Sequence, residues 1–236
     1  MPKLKINIIT LFPDYFSSAL QSSLLARAQK NDLLEVSCID LRDYSINKHR
    51  QVDDSPYGGG HGMLLMIEPI KAALDSIKEE TYKVLLTPRG YLWSQASCRS
   101  LQSQLQNEKK SLTLLCGHYE GVDERVVRYV DASIRIGDFI LSGGEPAALC
   151  ILDSISRYIP GFVGNSGSLD DESFNESNYI EYPQYTRPEE FNGDHVPEIL
   201  LSGHHKNIKN WRREQSIRAS EHFKGDAKID DSQKQS

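Results

Sequence analysis

Short apolar runs alternate with segments of helical period through the first 160 or so residues, and this alternation limits the fold more than any other feature of the chain. Residues 5–12, 33–41, 82–86, 112–116 and 132–136 are strand-like and too short and too apolar to be surface helices. Helical spacing falls between them, over 13–30, 67–79, 94–106, 123–129 and 145–159. Pro13 and Pro69 fit a first helical turn, Ser94 is a cap, and Pro160-Gly161 stops the last helix. Residues 42–62 read as one long loop, and Thr87-Pro88-Arg89-Gly90 as a turn that ends a strand. Strands alternating with helices predict an α/β fold with a mostly parallel sheet covered on both faces.

In such sheets ligands sit beyond the carboxyl ends of the strands. The loops after Leu86, after Cys116 and from Ile136 to Gly144 all hold that position. Two of them are rich in glycine: Cys116-Gly117-His118-Tyr119-Glu120-Gly121, and Ile136-Gly137-Asp138-Phe139-Ile140-Leu141-Ser142-Gly143-Gly144 ahead of Glu145. A third cluster is Tyr57-Gly58-Gly59-Gly60-His61-Gly62-Met63. Singly, each reads as well as a tight turn as it does a ligand cradle; together they point to convergence on a ligand. Neither a phosphate-binding Gly-x-x-x-x-Gly-Lys-Ser/Thr nor a dinucleotide-binding Gly-x-Gly-x-x-Gly is present, which disfavours P-loop and ordinary Rossmann sites.

The chain has 236 residues, 39% apolar and 25% charged, as expected of a globular protein of one large or two smaller domains. No apolar run approaches the roughly 20 residues of a membrane span, and no signal-peptide pattern opens the chain, so a cytoplasmic location without membrane contact is expected. Cys38, Cys98, Cys116 and Cys150 are widely spaced without a Cys-x-x-Cys pair, as in reduced core or helix thiols. The net charge of −6 hides a local contrast. Residues 165–182 carry five acids and no Lys or Arg, whereas 204–224 carry six Lys or Arg against two Glu. A basic helix behind an acidic linker suits one specific polyanion.

Several polar groups admit two readings. The adjacent His204-His205 point about 100° apart on a helix, which favours a capping or surface role over a shared metal. His61 and His118 either touch a ligand or are plain loop residues. Asp170, Asp171 and Glu172 are a solvated acidic run or include a general base delivered by a mobile segment. Arg157 pairs with a neighbouring carboxylate or stabilises negative charge on a substrate oxygen.

Six ordered segments carry a family resemblance. They are Pro56-Tyr57-Gly58-Gly59-Gly60-x-Gly62-Met63, Cys116-Gly117-x-Tyr119-Glu120-Gly121-Val122-Asp123-Glu124-Arg125-Val126, residues 136–145, Ser156-Arg157-Tyr158-Ile159-Pro160-Gly161, Pro183-x-Tyr185-Thr186-Arg187-Pro188, and Leu201-Ser202-Gly203-x-His205 with Trp211-Arg212. In this order the chain closely resembles the bacterial tRNA (guanine-N1)-methyltransferases of the TrmD type, in the SPOUT class. The resemblance implies a deep C-terminal trefoil knot in the sheet domain and a small, mainly helical C-terminal domain. It implies a homodimer with an active site shared between chains, S-adenosylmethionine as methyl donor, and a tRNA with guanosine at 36 and 37, the latter methylated at N1. The expected division is a knotted donor-binding domain over 1–161, a flexible acidic linker over 162–182, and a tRNA-binding helical domain with a polar tail over 183–236.

By the same resemblance the donor is held by Leu86, Thr87, Pro88, Gly117, Tyr119, Glu120, Gly121, Ile136, Gly137, Asp138, Ile140, Leu141, Gly143 and Gly144. The substrate side is assigned to Gly58, Gly59, His61, Lys209, Arg212 and Arg213. The family's Glu-Asp-Ser-Phe stands here as Asp171-Glu172-Ser173-Phe174, which makes Glu172 the expected base, Asp171 the alternative, and Arg157 the charge stabiliser. Family preference for Mg2+ leaves an accessory ion open, although no metal-ligand cluster is visible. The chain turns polar after Ser220, where relatives continue with an Arg-rich helical stretch, so a reduced RNA-binding lobe is expected. The alternative readings are a ribose 2′-O-methyltransferase of the same fold class and a non-enzymatic RNA-binding protein.

Overall fold

The computed structural model describes residues 3–164, 172–175 and 179–233, with side chains as far as Phe223. Two compact units divide the chain, Met1–Gly164 and Asn165–Ser236.

The first unit is built on a five-stranded sheet of order β2-β1-β6-β5-β7, with β1 Leu4–Thr10, β2 Leu34–Asp40, β5 Thr81–Leu92, β6 Ser111–Cys116 and β7 Ala132–Arg135. Every pairing in it is parallel. The mostly parallel sheet expected from the alternation is therefore present. Period-two alternation divides its side chains between two cores. Ile6, Ile8, Val84, Leu86, Leu112, Leu114 and Cys116 pack on one face against α2 Ser23–Lys30, α4 Gln95–Glu108 and α5 Glu145–Ser156. Ile9, Leu85 and Leu115 face the other way, towards α3 Ile67–Ser76 and a 3-10 helix at Glu124–Tyr129. Burial on both sides leaves every residue of β6 buried, Leu112, Leu114, Leu115 and Cys116 in the two cores with Ser111 and Thr113 as buried polar residues.

Local chemistry sets the element ends. Ser94 accepts from the Ser97 amide while Ser97 reaches back to the Ser94 amide, a capping box that starts α4. The segment predicted as one helix over 13–30 is broken into a 3-10 turn Pro13–Phe16, a short α1 Ser17–Leu20, and α2, which opens on Ser23 at φ 51. The long loop over 42–62 includes a two-residue strand, β3 Asp53–Asp54, paired antiparallel with β4 Leu64–Leu65. Thr87-Pro88-Arg89-Gly90 does not end β5. The strand makes an excursion there, and both Leu86 and Tyr91 oppose Ile134 of β7. Gly90 is the reason: a Cβ at this position would penetrate the Ser133 and Ile134 backbone.

The second unit holds a small hairpin, β8 Glu190–Phe191 with β9 Asp194–His195, then α6 Glu198–Leu201 and α7 His205–Gln233. The stretch that turns polar after Ser220 is thus helical as far as Gln233. Among the described residues no helix is long and apolar enough to cross a membrane.

All four cysteines are free. Burial pushes the Cys38 and Cys98 thiols up to about 11. Cys116 is raised well above its ordinary range by burial and then by the nearby Glu145. Cys150 is exposed on α5. Because the thiolate is the reactive form, one equivalent of iodoacetamide at pH 8 should label Cys150, with the other three reacting only after denaturation. Peptide mass mapping checks this, and early labelling of Cys98 would contradict the packing.

Candidate active site

The β5 excursion and the ends of β6 and β7 open onto one cavity of about 570 Å3, a size ordinary for a small-molecule or cofactor site. Its walls come from the β5 excursion, the loop after β6 and the loop after β7. Leu86, Thr87 and Pro88 lie on it, as do Gly117, Tyr119, Glu120 and Gly121, and Ile136, Gly137, Ile140, Leu141, Gly143 and Gly144. Asp138 is not on the wall; its carboxylate accepts from Arg135 Nε at 2.8 Å. That same guanidinium donates to the Gly90 carbonyl at 2.6 Å, so Arg135 ties the β5 excursion to the loop after β7.

Close backbone packing holds the other two loops together. The Gly144 amide donates to the Gly117 carbonyl at 2.8 Å, and His118 and Gly143 form an isolated antiparallel bridge. A Cβ on Gly144 would lie 2.7 Å from Cys116 Cα, so no other residue fits there without a shift. Glycine at this buried point is a packing requirement.

Further groups reach the cavity that sequence reasoning did not assign to it: Leu64, Arg89, His118, Glu124 and Phe139 among them. Arg89 and Glu124 pair at 2.5 Å from opposite sides, both largely exposed. His118 sits in a glycine loop already singled out, and that loop context was its one sequence signal.

The triple-glycine loop does not line the cavity but borders it. The Glu120 amide donates to the Met63 carbonyl at 3.1 Å, and a Cβ on Gly62 would collide with the Glu120 side chain. Gly58, Gly59 and His61 are exposed, and both glycines have positive φ. Arg157 follows the last residue of α5, half-buried, and is also absent from the cavity wall. At 1.5 Å per residue, the helix sets it about 18 Å along its axis from Glu145 at the cavity end.

In the second unit, the residues read as a mobile linker are tied down wherever they are described. The Phe174 amide donates to the Tyr179 carbonyl at 2.7 Å, the Ile180 amide to Ser220 Oγ at 2.9 Å, and Tyr179 Oη lies 3.2 Å from the buried Ser216 hydroxyl. The Phe174 and Phe223 rings meet edge to face at 5.6 Å. Glu172 opens this turn, half-buried, its carbonyl accepting from the Asn175 amide. Asp171 lies outside the described residues, as does Asp170. Lys209, Arg212 and Arg213 are exposed on α7, with the Arg212 guanidinium 4.8 Å above the Tyr182 ring. His204 and His205 are exposed where α7 begins. Among the described residues no group of three or more His, Cys, Asp or Glu could hold a metal ion.

The family model described as tRNA (Guanine-1)-methyltransferase TrmD matches residues 4–227. The chain belongs to this family. Relatives named tRNA (guanine-N(1)-)-methyltransferase are similar over nearly their whole length. That of Clostridium perfringens (strain 13 / Type A) is 46% identical over 91% of this chain and 89% of its own. That of Clostridium botulinum (strain Eklund 17B / Type B) is 49% identical over 91% and 88%. That of Clostridium acetobutylicum (strain ATCC 824) is 47% identical over 92% and 87%. Because the match runs through both units, the cavity loops and the α7 basic residues all fall within the shared region.

Proposed function

We propose that this member of the tRNA (guanine-N1)-methyltransferase family transfers a methyl group from S-adenosylmethionine to N1 of guanosine 37 in tRNA bearing guanosine at 36 and 37. One observation carries the reading: the β5 excursion and the glycine loops after β6 and β7 line a single cavity in a chain that matches the family from residue 4 to 227. The cavity suits an adenosyl donor. Leu86, Ile136 and Leu141 supply an apolar wall, and the backbone along 86–88, 117–121 and 136–144 that borders the cavity would hold the adenine edge. When bound, S-adenosylmethionine contributes an electrophilic methyl on a sulfonium.

The rest of the chemistry belongs to the protein. Guanine N1 carries a proton that must leave as the nitrogen becomes a nucleophile, and the Glu172 carboxylate takes it. Charge displaced towards O6 is stabilised by the Arg157 guanidinium. Lys209, Arg212 and Arg213 meet phosphates, which position the tRNA without reading its sequence. No step is assigned to Mg2+, because the described residues offer no cluster to hold it.

Arg157 and the donor cavity are separated by the length of α5, which favours an active site completed by a second copy of the chain. Tyr91, Leu92, Phe139 and Ile140 are exposed by 81%, 51%, 57% and 80% near the cavity, an apolar patch that a partner subunit would cover. The sheet order and the β5 excursion around Ile134 are compatible with the knot of the SPOUT class. The second unit then acts as the tRNA-binding helical domain, and the segment over 162–182 as the connection carrying the base.

A methyl-transfer assay on tRNA transcripts tests the assignment. Changing guanosine 37 to adenosine should abolish incorporation, and nuclease digestion of the normal product should yield 1-methylguanosine. A 2′-O-methylated nucleoside would replace this reading with the ribose alternative. Arg157→Ala should lower kcat by about 100-fold, with donor affinity within about twofold of the parent. Mixing Arg157→Ala with Glu172→Gln chains should restore part of the activity if the site is shared between subunits.

A further inference from the structure

Behind the cavity wall lies a buried carboxylate that the chemistry above does not use. Glu145, the first residue of α5, has a side chain only 4% exposed. Thr10, at the end of β1, donates its hydroxyl to Glu145 Oε1 at 2.7 Å, and that hydroxyl accepts from the Phe12 amide at 2.9 Å. The other carboxylate oxygen, Oε2, faces His118 Nδ1 at 3.9 Å. This nitrogen is buried and has no hydrogen-bond partner, while the ring is packed edge-on against Phe12 and Tyr119. Gly143 lies between the two groups: a Cβ there would collide with Glu145 Oε2 and come within 2.6 Å of His118 Nδ1. Any side chain at 143 would split the pair, which accounts for the first glycine of Gly143-Gly144 as backbone packing accounts for the second.

We infer that Glu145 is a positioning residue for the donor pocket: anchored by Thr10, it draws in the His118 ring and so fastens the loop after β6 to the Gly143–Gly144 turn. The inference rests on the reading of this cavity as the donor site. A separation of 3.9 Å is too long for a hydrogen bond, and a small ring rotation closes it. A closed pair satisfies the one orphaned imidazole nitrogen and fixes two walls of the cavity at once. Burying a carboxylate is costly: exchanging a whole buried ion pair for apolar residues of similar size is often neutral or stabilising for the fold, whereas removing one partner leaves the other unpaired.

That cost supplies the discriminating experiment. Full-length Glu145→Leu, which leaves the Thr10 hydroxyl without its acceptor, should melt a few degrees lower and, at a temperature where it is fully folded, bind S-adenosylhomocysteine about tenfold more weakly by calorimetry. Its KM for donor should rise with little change in kcat at saturating donor or in KM for tRNA. Amide exchange at Gly144 should speed up. The Thr10 pair guards against a folding defect: Thr10→Ser should keep parental affinity and Thr10→Val should lose several-fold. Parental affinity in both Glu145→Leu and Thr10→Val overturns the inference, as does an affinity loss that only tracks a fall in melting temperature. Failure of the parental protein itself to bind S-adenosylhomocysteine overturns the donor-site reading and this inference with it.

Discussion

Replacing Glu172 by glutamine is expected to slow single-turnover methyl transfer by about 10²–10⁴-fold, the usual worth of a positioned general base. Glutamine keeps the shape and most hydrogen bonding of the side chain and removes only its capacity to take a proton. Donor affinity should stay parental, because the cavity is built wholly from the first unit and Glu172 belongs to the second. The turn that Glu172 opens is not a free strand of linker. Phe174 is held at φ 67, a left-handed conformation costing a phenylalanine about 1 kcal/mol or more, against the Phe223 ring and the Tyr179 carbonyl. Strain of that kind persists only where surrounding contacts over-determine it, and such sites are often functional. Phe223→Ala should therefore reduce kcat while sparing donor binding. Asp171→Asn is the companion measurement: if it slows transfer and Glu172→Gln does not, the base is one residue earlier than assigned.

Gly90→Ala should destabilise the first unit by about 3 kcal/mol, the upper end of ordinary overpacking, and lower its melting temperature by about 10 °C. The new methyl group would sit inside the contact distance of the Ser133 and Ile134 backbone, and neither β5 nor β7 can retreat without breaking the pairs on both sides of Ile134. Donor binding should fall with stability, since the excursion that Gly90 closes carries Thr87 and Pro88. Gly164→Ala is the control. Its Cβ would meet nothing within 4 Å, so a change of no more than about 0.5 kcal/mol is expected. Thermal melts of the two variants should separate clearly; similar values would show that the β5–β7 contact is looser than it stands.

Much of the sheet domain was legible in the residues. Ile6 and Ile8 against Ile9, or Leu114 against Leu115, alternate because successive strand side chains point to opposite faces, and both faces are covered. Ser94 announced α4 because a hydroxyl one residue before a helix satisfies its free amides. The donor residues could be placed near one another because loops after parallel strands share one edge. The full length of α7 is not legible in the sequence, because residues 225–233 lack a strong apolar stripe while the backbone remains helical.

Local composition determined which segments are strands, which are helices, and that glycine loops gather beyond Leu86, Cys116 and Arg135. It could not say why each glycine is there. Gly90 reads as a turn and is instead a close approach to Ile134 from another strand. Gly143 reads as flexibility and instead leaves room for Glu145 and His118 to meet. These constraints come from atoms more than twenty residues away in the chain for one face of each contact, and no periodicity encodes them. Helix rise already separates Arg157 from the glycine loop by the length of α5, and the tertiary structure alone shows that the cavity lies at the Glu145 end, because its walls come from three segments distant in the chain.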